Sequence, residues 1–159
     1  MRETEQLAQR FREVILNGKW VTNTNLKEQI DQLPLAEANE QIDNLNTIAL
    51  LCFHIHYYIK GVLQVLNGGT LDIKDKFSFD APDLKSEEDW ISLKEELWKD
   101  AYAFALAIEK IDDSQLSNEF VKAEYGTYRR NLNGMIEHCY YHLGQIVLLK
   151  KLISIKAKS

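Results

Sequence analysis

The sequence contains few of the residues that cross-link or interrupt a chain, with two cysteines, two prolines and seven glycines among 159 residues. Two cysteines are too few for a disulfide framework. Because helix-breaking residues are scarce and apolar residues recur at helical spacing, we expect an all-α protein. The length fits a single domain over residues 1–159, which is large enough to fold without a structural metal. A metal ion would then serve function rather than folding.

The chain also lacks an excess of positive charge and a long apolar run. Its formal net charge of -5 argues against direct nucleic-acid binding, because phosphates attract basic surfaces. The longest apolar run of the second helix, residues 47–53, is shorter than the roughly 18 residues that span a bilayer. The charged N-terminal segment does not resemble a secretion signal. We therefore expect a cytoplasmic protein with no membrane role.

The spacing of apolar residues predicts four long helices joined by shorter segments. The long helices are expected over about residues 3–16, 46–66, 86–110 and 127–155. Thr24 is predicted to cap a short helix that runs to Leu33, and Pro34 either stops this helix or starts another short segment that runs to about Gln41. Residues 70–85 contain turn-forming groups without a helical period. They predict an ordered loop between the second and third long helices that could cover a site.

Two histidines occupy the apolar stripe of the last helix. His138 and His142 are four residues apart, so their imidazoles lie one turn apart on the same face and can converge on one ion. Gln145 and Tyr141 fall beside them and are expected to hydrogen-bond a ligand histidine. Alternatively, each histidine simply bonds a neighbouring helix, since the pair lacks the glutamate of the zincin signature.

A third ligand would come from the second long helix, because open metal sites commonly use three protein ligands. That helix offers Cys52, His54 and His56, and periodicity alone does not choose between the two histidines. Neither Cys52 nor Cys139 has a neighbour that would activate a thiol, so both are interpreted as core residues.

The segments NTIALLCFHIHYY at residues 46–58 and HCYYHLGQI at residues 138–146 resemble the two halves of the DinB-like superfamily pattern. The resemblance implies an up-down-down-up four-helix bundle, commonly a homodimer, with His54, His138 and His142 around zinc, nickel or a similar divalent metal. His54 is preferred because it holds the histidine-before-isoleucine position of the pattern, and His56 is a secondary candidate. Members often have arginine after the last ligand where this chain has Leu143, which weakens inferences about the substrate.

The resemblance implies a metal-dependent enzyme that activates a low-molecular-weight thiol or water for S-transfer or hydrolysis on a small-molecule substrate. It also suggests induction by DNA damage or another stress. No catalytic residue can be named from the sequence. The alternative is a noncatalytic, stress-associated helical bundle that binds a small ligand or a protein partner without metal.

Overall fold

Six α-helices account for most of the chain, and four of them are long. The computed structural model describes residues 1–159 and contains no β-strand, so the all-α prediction is confirmed. The α-helices are α1 (Glu3–Ile15), α2 (Leu26–Ile30), α3 (Leu35–Ala38), α4 (Ile48–Leu66), α5 (Glu87–Lys110) and α6 (Tyr128–Ala157). Short 3₁₀ turns lie at Asp75–Phe77, Asp113–Ser117 and Ala123–Tyr125.

Side-chain caps set the starts of the three longest helices. The hydroxyl groups of Thr47, Ser86 and Thr127 accept hydrogen bonds from backbone N–H groups in the first turns of α4, α5 and α6. These bonds satisfy amides that have no partner within the helix. The predicted starts of α4, α5 and α6 are therefore correct to within two residues.

The short connecting helices differ from their prediction. Asn25 rather than Thr24 caps α2, since the Asn25 side chain accepts from the Glu28 amide. The Thr24 hydroxyl instead donates to the Glu28 carboxylate. Both α2 and α3 are also shorter than predicted. A capping residue and its neighbour can both reach the same first turn, and the pattern alone did not distinguish them.

The four long helices surround one hydrophobic core, and each packs against two of the others. Helix α1 lies beside α5 and α6, and α4 lies beside the same two helices on the opposite side. Contacts between their ends fix the directions. Arg129 at the start of α6 pairs with Glu3 at the start of α1, whereas Arg2 bonds the Glu109 carbonyl at the end of α5. Helices α1 and α6 thus run one way, and α5 runs the other.

Helix α4 runs parallel to α5 and antiparallel to α6, because Leu66 at its end borders the same cavity as Lys110 at the end of α5 and Tyr128 at the start of α6. On the α6 side, His54 faces His138. By length and composition α4 is the one helix that could cross a membrane, although its apolar run is interrupted at His54 as expected. However, 67% of its most apolar window is buried among the other helices, as in the core helix of a soluble protein. Its position places His54 in the interior, opposite α6.

Candidate metal centre

Three imidazoles from two helices converge at one point of the core. His54 of α4 and His142 of α6 each bring Nε2 to 3.0 Å from the Nε2 atom of His138. The ring-nitrogen atoms that the three residues offer lie within 4.8 Å of one another. Helix α6 contributes two of them because residues four apart share a face. The structure therefore brings together the three histidines named from the sequence.

Hydrogen bonds on the far side of two rings determine which nitrogen is unprotonated. His54 Nδ1 lies 3.2 Å from the backbone carbonyl of Ser78, and a carbonyl can only accept, so Nδ1 carries the proton. His142 Nδ1 likewise lies 2.6 Å from Oε1 of Gln145. In the neutral rings, Nε2 of both His54 and His142 is consequently a lone-pair donor. The predicted hydrogen bond of Gln145 to a histidine is confirmed, whereas Tyr141 instead packs edge-on against the His142 ring, with 4.9 Å between centroids.

The three converging Nε2 atoms have too few protons to satisfy one another by hydrogen bonding. Two unprotonated Nε2 atoms, of His54 and His142, face the single Nε2 atom of His138. That atom can carry at most one proton, so it can satisfy only one of the two lone pairs. A cation bound by all three nitrogens would satisfy all of them. The arrangement has the donor chemistry of a three-histidine metal site.

The distances also fit an ion of zinc size. Tetrahedral coordination at about 2.0–2.1 Å per nitrogen requires nitrogen pairs separated by roughly 3.3 Å. The two separations of 3.0 Å therefore need to open by only a few tenths of an ångström. The third pair, from His54 and His142, lies within the 4.8 Å that spans all three ring nitrogens.

Burial keeps the triad neutral. Loss of solvent, together with the neighbouring His142 and His54, lowers the pKa of His138 to about 4. Burial likewise lowers the pKa of His54 and of His142, although the bonds to Ser78 and Gln145 act in the opposite direction. Neutral imidazole is the form that binds a metal. At neutral pH protons therefore compete weakly for these three nitrogens.

The loop between α4 and α5 covers the site. The Phe79 ring stacks on His54 with 3.9 Å between centroids and 10° between planes. Two tyrosines of α4 anchor the part of the loop before Phe79. The Tyr57 hydroxyl donates to the backbone carbonyl of Lys74 and accepts from its backbone N–H group. Tyr58 donates to Asp75 at 2.9 Å. The prediction that this loop is ordered and could cover a site is supported, although the sequence did not single out Ser78 or Phe79.

A groove leads to the triad along α6. It has a volume of about 610 Å³, and its lining includes Tyr58 and His138. Grooves of about 530 and 580 Å³ on the α5 side of α4 contain none of the three histidines, although the Phe79 ring borders one of them. The T-shaped contact of Tyr58 with His138, at 5.2 Å, forms one wall of the approach along α6. This groove gives a small molecule access to the ring of His138.

The other candidate ligands point elsewhere. His56 bonds Asp100 at 2.7 Å, across the α4–α5 interface, so the secondary candidate is not part of the cluster. Cys52 and Cys139 are completely buried, and burial raises the pKa of each thiol far above its usual range. Both cysteines therefore remain protonated core residues, as interpreted from the sequence.

The chain matches no family model, no curated protein and no solved structure. Its site must be interpreted from its own geometry.

Proposed function

We propose that the protein is a metal-dependent enzyme of the DinB-like type, in which His54, His138 and His142 hold one divalent ion, zinc or nickel. The observation that carries this proposal is the pair of unprotonated Nε2 atoms directed at a third histidine. Hydrogen bonding within the protein alone leaves one of these lone pairs unsatisfied. The up-down-down-up order of the long helices also agrees with the resemblance in the sequence.

A bound ion would lower the pKa of a small thiol or of water, and so supply a nucleophile for transfer or hydrolysis at neutral pH. The chain's own groups orient and shield this site. Ser78 and Gln145 fix the two outer imidazoles, and the Phe79 ring excludes water from one face of His54. The site is open toward the groove, where His138 is only partly buried.

Tyr58 and Asp75 form the titratable pair beside the entrance. Burial, followed by the hydrogen bond to Asp75, raises the pKa of Tyr58, so its hydroxyl stays protonated at neutral pH. Tyr58 therefore acts as a hydrogen-bond donor rather than a base. The Asp75 carboxylate, which is exposed, would accept a proton relayed through that hydroxyl.

The test is metal content by elemental analysis after purification without chelator or affinity-tag metal. We expect about one zinc or nickel per chain in the natural sequence and its loss in the His138→Ala, His142→Ala double variant. His54→Gln should also lose the ion, whereas His56→Gln, as the matched control on α4, should retain it.

Adding zinc or nickel to the purified protein gives the result that would contradict the proposal. If the natural protein binds neither zinc nor nickel when each is supplied, the enzyme proposal fails and a noncatalytic binding bundle remains. Circular dichroism of each variant separates a lost ligand from a lost fold, because an all-α chain that unfolds loses its helical signal.

A further inference from the structure

The groove beside His138 also contains an unpaired cation. Four of the five arginines donate guanidinium hydrogen bonds to other residues of the chain, whereas the guanidinium of Arg130 donates none. Its aliphatic stem lies against Gly126, and its side chain lines the groove together with His138. Arg130 is therefore free to bind a ligand that enters this groove.

No steric contact within the protein explains why a glycine stands between Arg130 and His138 on α6. Gly134 lies one turn from Arg130 and one turn from His138 on α6, and it lines the same groove. A Cβ atom added there would meet nothing within 4 Å. Glycine within a helix is less stable than alanine, so an open position favours alanine unless something else approaches the backbone. Gly144 on the same helix is equally open, so openness alone does not mark a ligand, but only Gly134 lines the groove beside His138. There the missing side chain lets a ligand lie close to the α6 backbone.

The remaining polar groups of the groove limit the kinds of ligand that it can bind. Asn131 and Asn133 already donate to backbone carbonyls of the chain, and Asn133 also accepts from Arg10. Glu137 is exposed and forms no ion pair, and it lies near the His138 end. The groove thus has a free cation at one end and a free carboxylate near the other. An anionic group would be attracted to the Arg130 end and repelled from the Glu137 end.

We propose that the groove binds an elongated small molecule whose carboxylate or phosphate pairs with Arg130, while its other end reaches the triad. Guanidinium matches both groups with two parallel hydrogen bonds. Eight residues of α6 separate Arg130 from His138, or about 12 Å along the helix axis, so the ligand must be long or the arginine must swing inward. The proposal rests on the metal site and assigns a substrate class to it.

The test uses cobalt-substituted protein and two matched series of probes. One series contains ω-mercaptocarboxylates of increasing length, and the other contains the mercaptoalcohols of the same lengths. Binding of either thiol to cobalt is followed by its sulfur-to-metal charge-transfer absorption. We expect the natural protein to bind the longer carboxylates at least tenfold more tightly than the matched alcohols. Arg130→Gln should abolish this difference without weakening the alcohols.

The charge change itself needs a control. Lys99→Gln removes one positive charge from α5, which lies diagonally across the bundle from α6, and should preserve the carboxylate preference. Glu137→Gln should increase the affinity for the carboxylates, because it removes a like charge from the groove. A carboxylate preference that Arg130→Gln leaves intact, or that Lys99→Gln reduces equally, overturns the proposal. Mercaptophosphonates in place of the carboxylates establish which anion is preferred.

Gly134→Ala provides a second arm that does not depend on charge. The variant should melt at a higher temperature than the natural protein and yet bind the long carboxylates several-fold more weakly. Gly144→Ala is the matched control, since this α6 position is equally open and lies outside the groove, and it should stabilise without changing affinity. Unchanged probe binding in Gly134→Ala would contradict a ligand lying along α6.

Failure of this inference is distinguishable from failure of the metal site. If the protein gives no cobalt absorption before any probe is added and also binds neither zinc nor nickel, the proposed function fails. If cobalt binds with histidine-dependent absorption and the probes show no preference for anions, only the assignment of the groove fails.

Discussion

The Nδ1–H group of His54 donates to the backbone carbonyl of Ser78, so a loop residue determines which nitrogen of this core histidine faces His138. The loop is itself held by Tyr57 and Tyr58 of the same helix, through Lys74 and Asp75. The covering loop and His54 therefore form one local unit. Changes in the loop should alter the position of the His54 ring in the three-histidine cluster.

Phe79→Ala should weaken metal binding. The Phe79 ring stacks on His54 and restricts its rotation, and such aromatic pairs contribute about 0.5–1.5 kcal/mol. We expect a roughly two- to tenfold loss of zinc affinity, measured by competition with a chromophoric chelator. Phe77→Ala is the matched control, because Phe77 is equally exposed and does not contact the triad. Equal effects of both substitutions would argue against a role for the stacking.

Gln145→Leu should reduce metal affinity more strongly, by roughly 10–100-fold, because it removes the acceptor that orients His142. Gln145→Glu retains an oxygen acceptor and should preserve or increase the affinity. Isothermal titration with zinc distinguishes these outcomes. If both variants bind zinc like the natural protein, Gln145 does not fix the His142 ring.

The metal-free protein should lose stability between pH 7 and pH 5. Folding lowers the pKa of His138 from its ordinary value of 6.5 to about 4, so within this window the unfolded chain binds a proton that the folded chain does not. Stability is therefore present above pH 6.5 and falls as the pH decreases. Over this window the full pKa shift of His138 is equivalent to about 2 kcal/mol, or on the order of 1 kcal/mol after a discount for partial solvation of the ring.

Urea denaturation of the metal-free protein measures this decrease. His138→Gln should show a smaller one, because the variant has lost the group that titrates. Saturating zinc should hold the natural protein stable to lower pH. Stability that is constant or higher at pH 5 in the metal-free natural protein would contradict the neutral triad.

His56 and Asp100 should be coupled in stability rather than in metal binding. Their hydrogen bond joins α4 to α5 in a largely buried position. A double-mutant cycle with His56→Gln and Asp100→Asn is expected to give a coupling free energy of about 0.5–3 kcal/mol. Urea denaturation of the four proteins gives this value. Additive effects would show that the pair contributes nothing beyond its separate contacts.

Local sequence patterns predicted most of the fold. The caps at Thr47, Ser86 and Thr127 are chemically distinctive, and they set the starts of α4, α5 and α6. The convergence of His138 and His142 follows from helical periodicity alone. The assignment to one domain, the homodimer and the association with stress stay predictions.

The remaining features depended on tertiary packing. His54 and His56 both lie in the interior, and only the neighbouring helices decide that one faces α6 and the other α5. The contacts of Ser78 and Phe79 arise from a loop without periodicity, so no pattern marks them. The sequence likewise did not indicate that Gly134 and Arg130 line the same groove, because that groove forms only where α4 packs against α6.

The separation of His54 from His138, 84 residues along the chain, has a thermodynamic consequence. An unfolded chain retains only the local pair His138 and His142, which should bind zinc far less tightly than the complete triad. An ion that prefers the native state raises the unfolding free energy by an amount that grows with the logarithm of its concentration. The melting temperature should therefore rise with free zinc, and the zinc dependence of unfolding would report how completely α4 and α6 have come together.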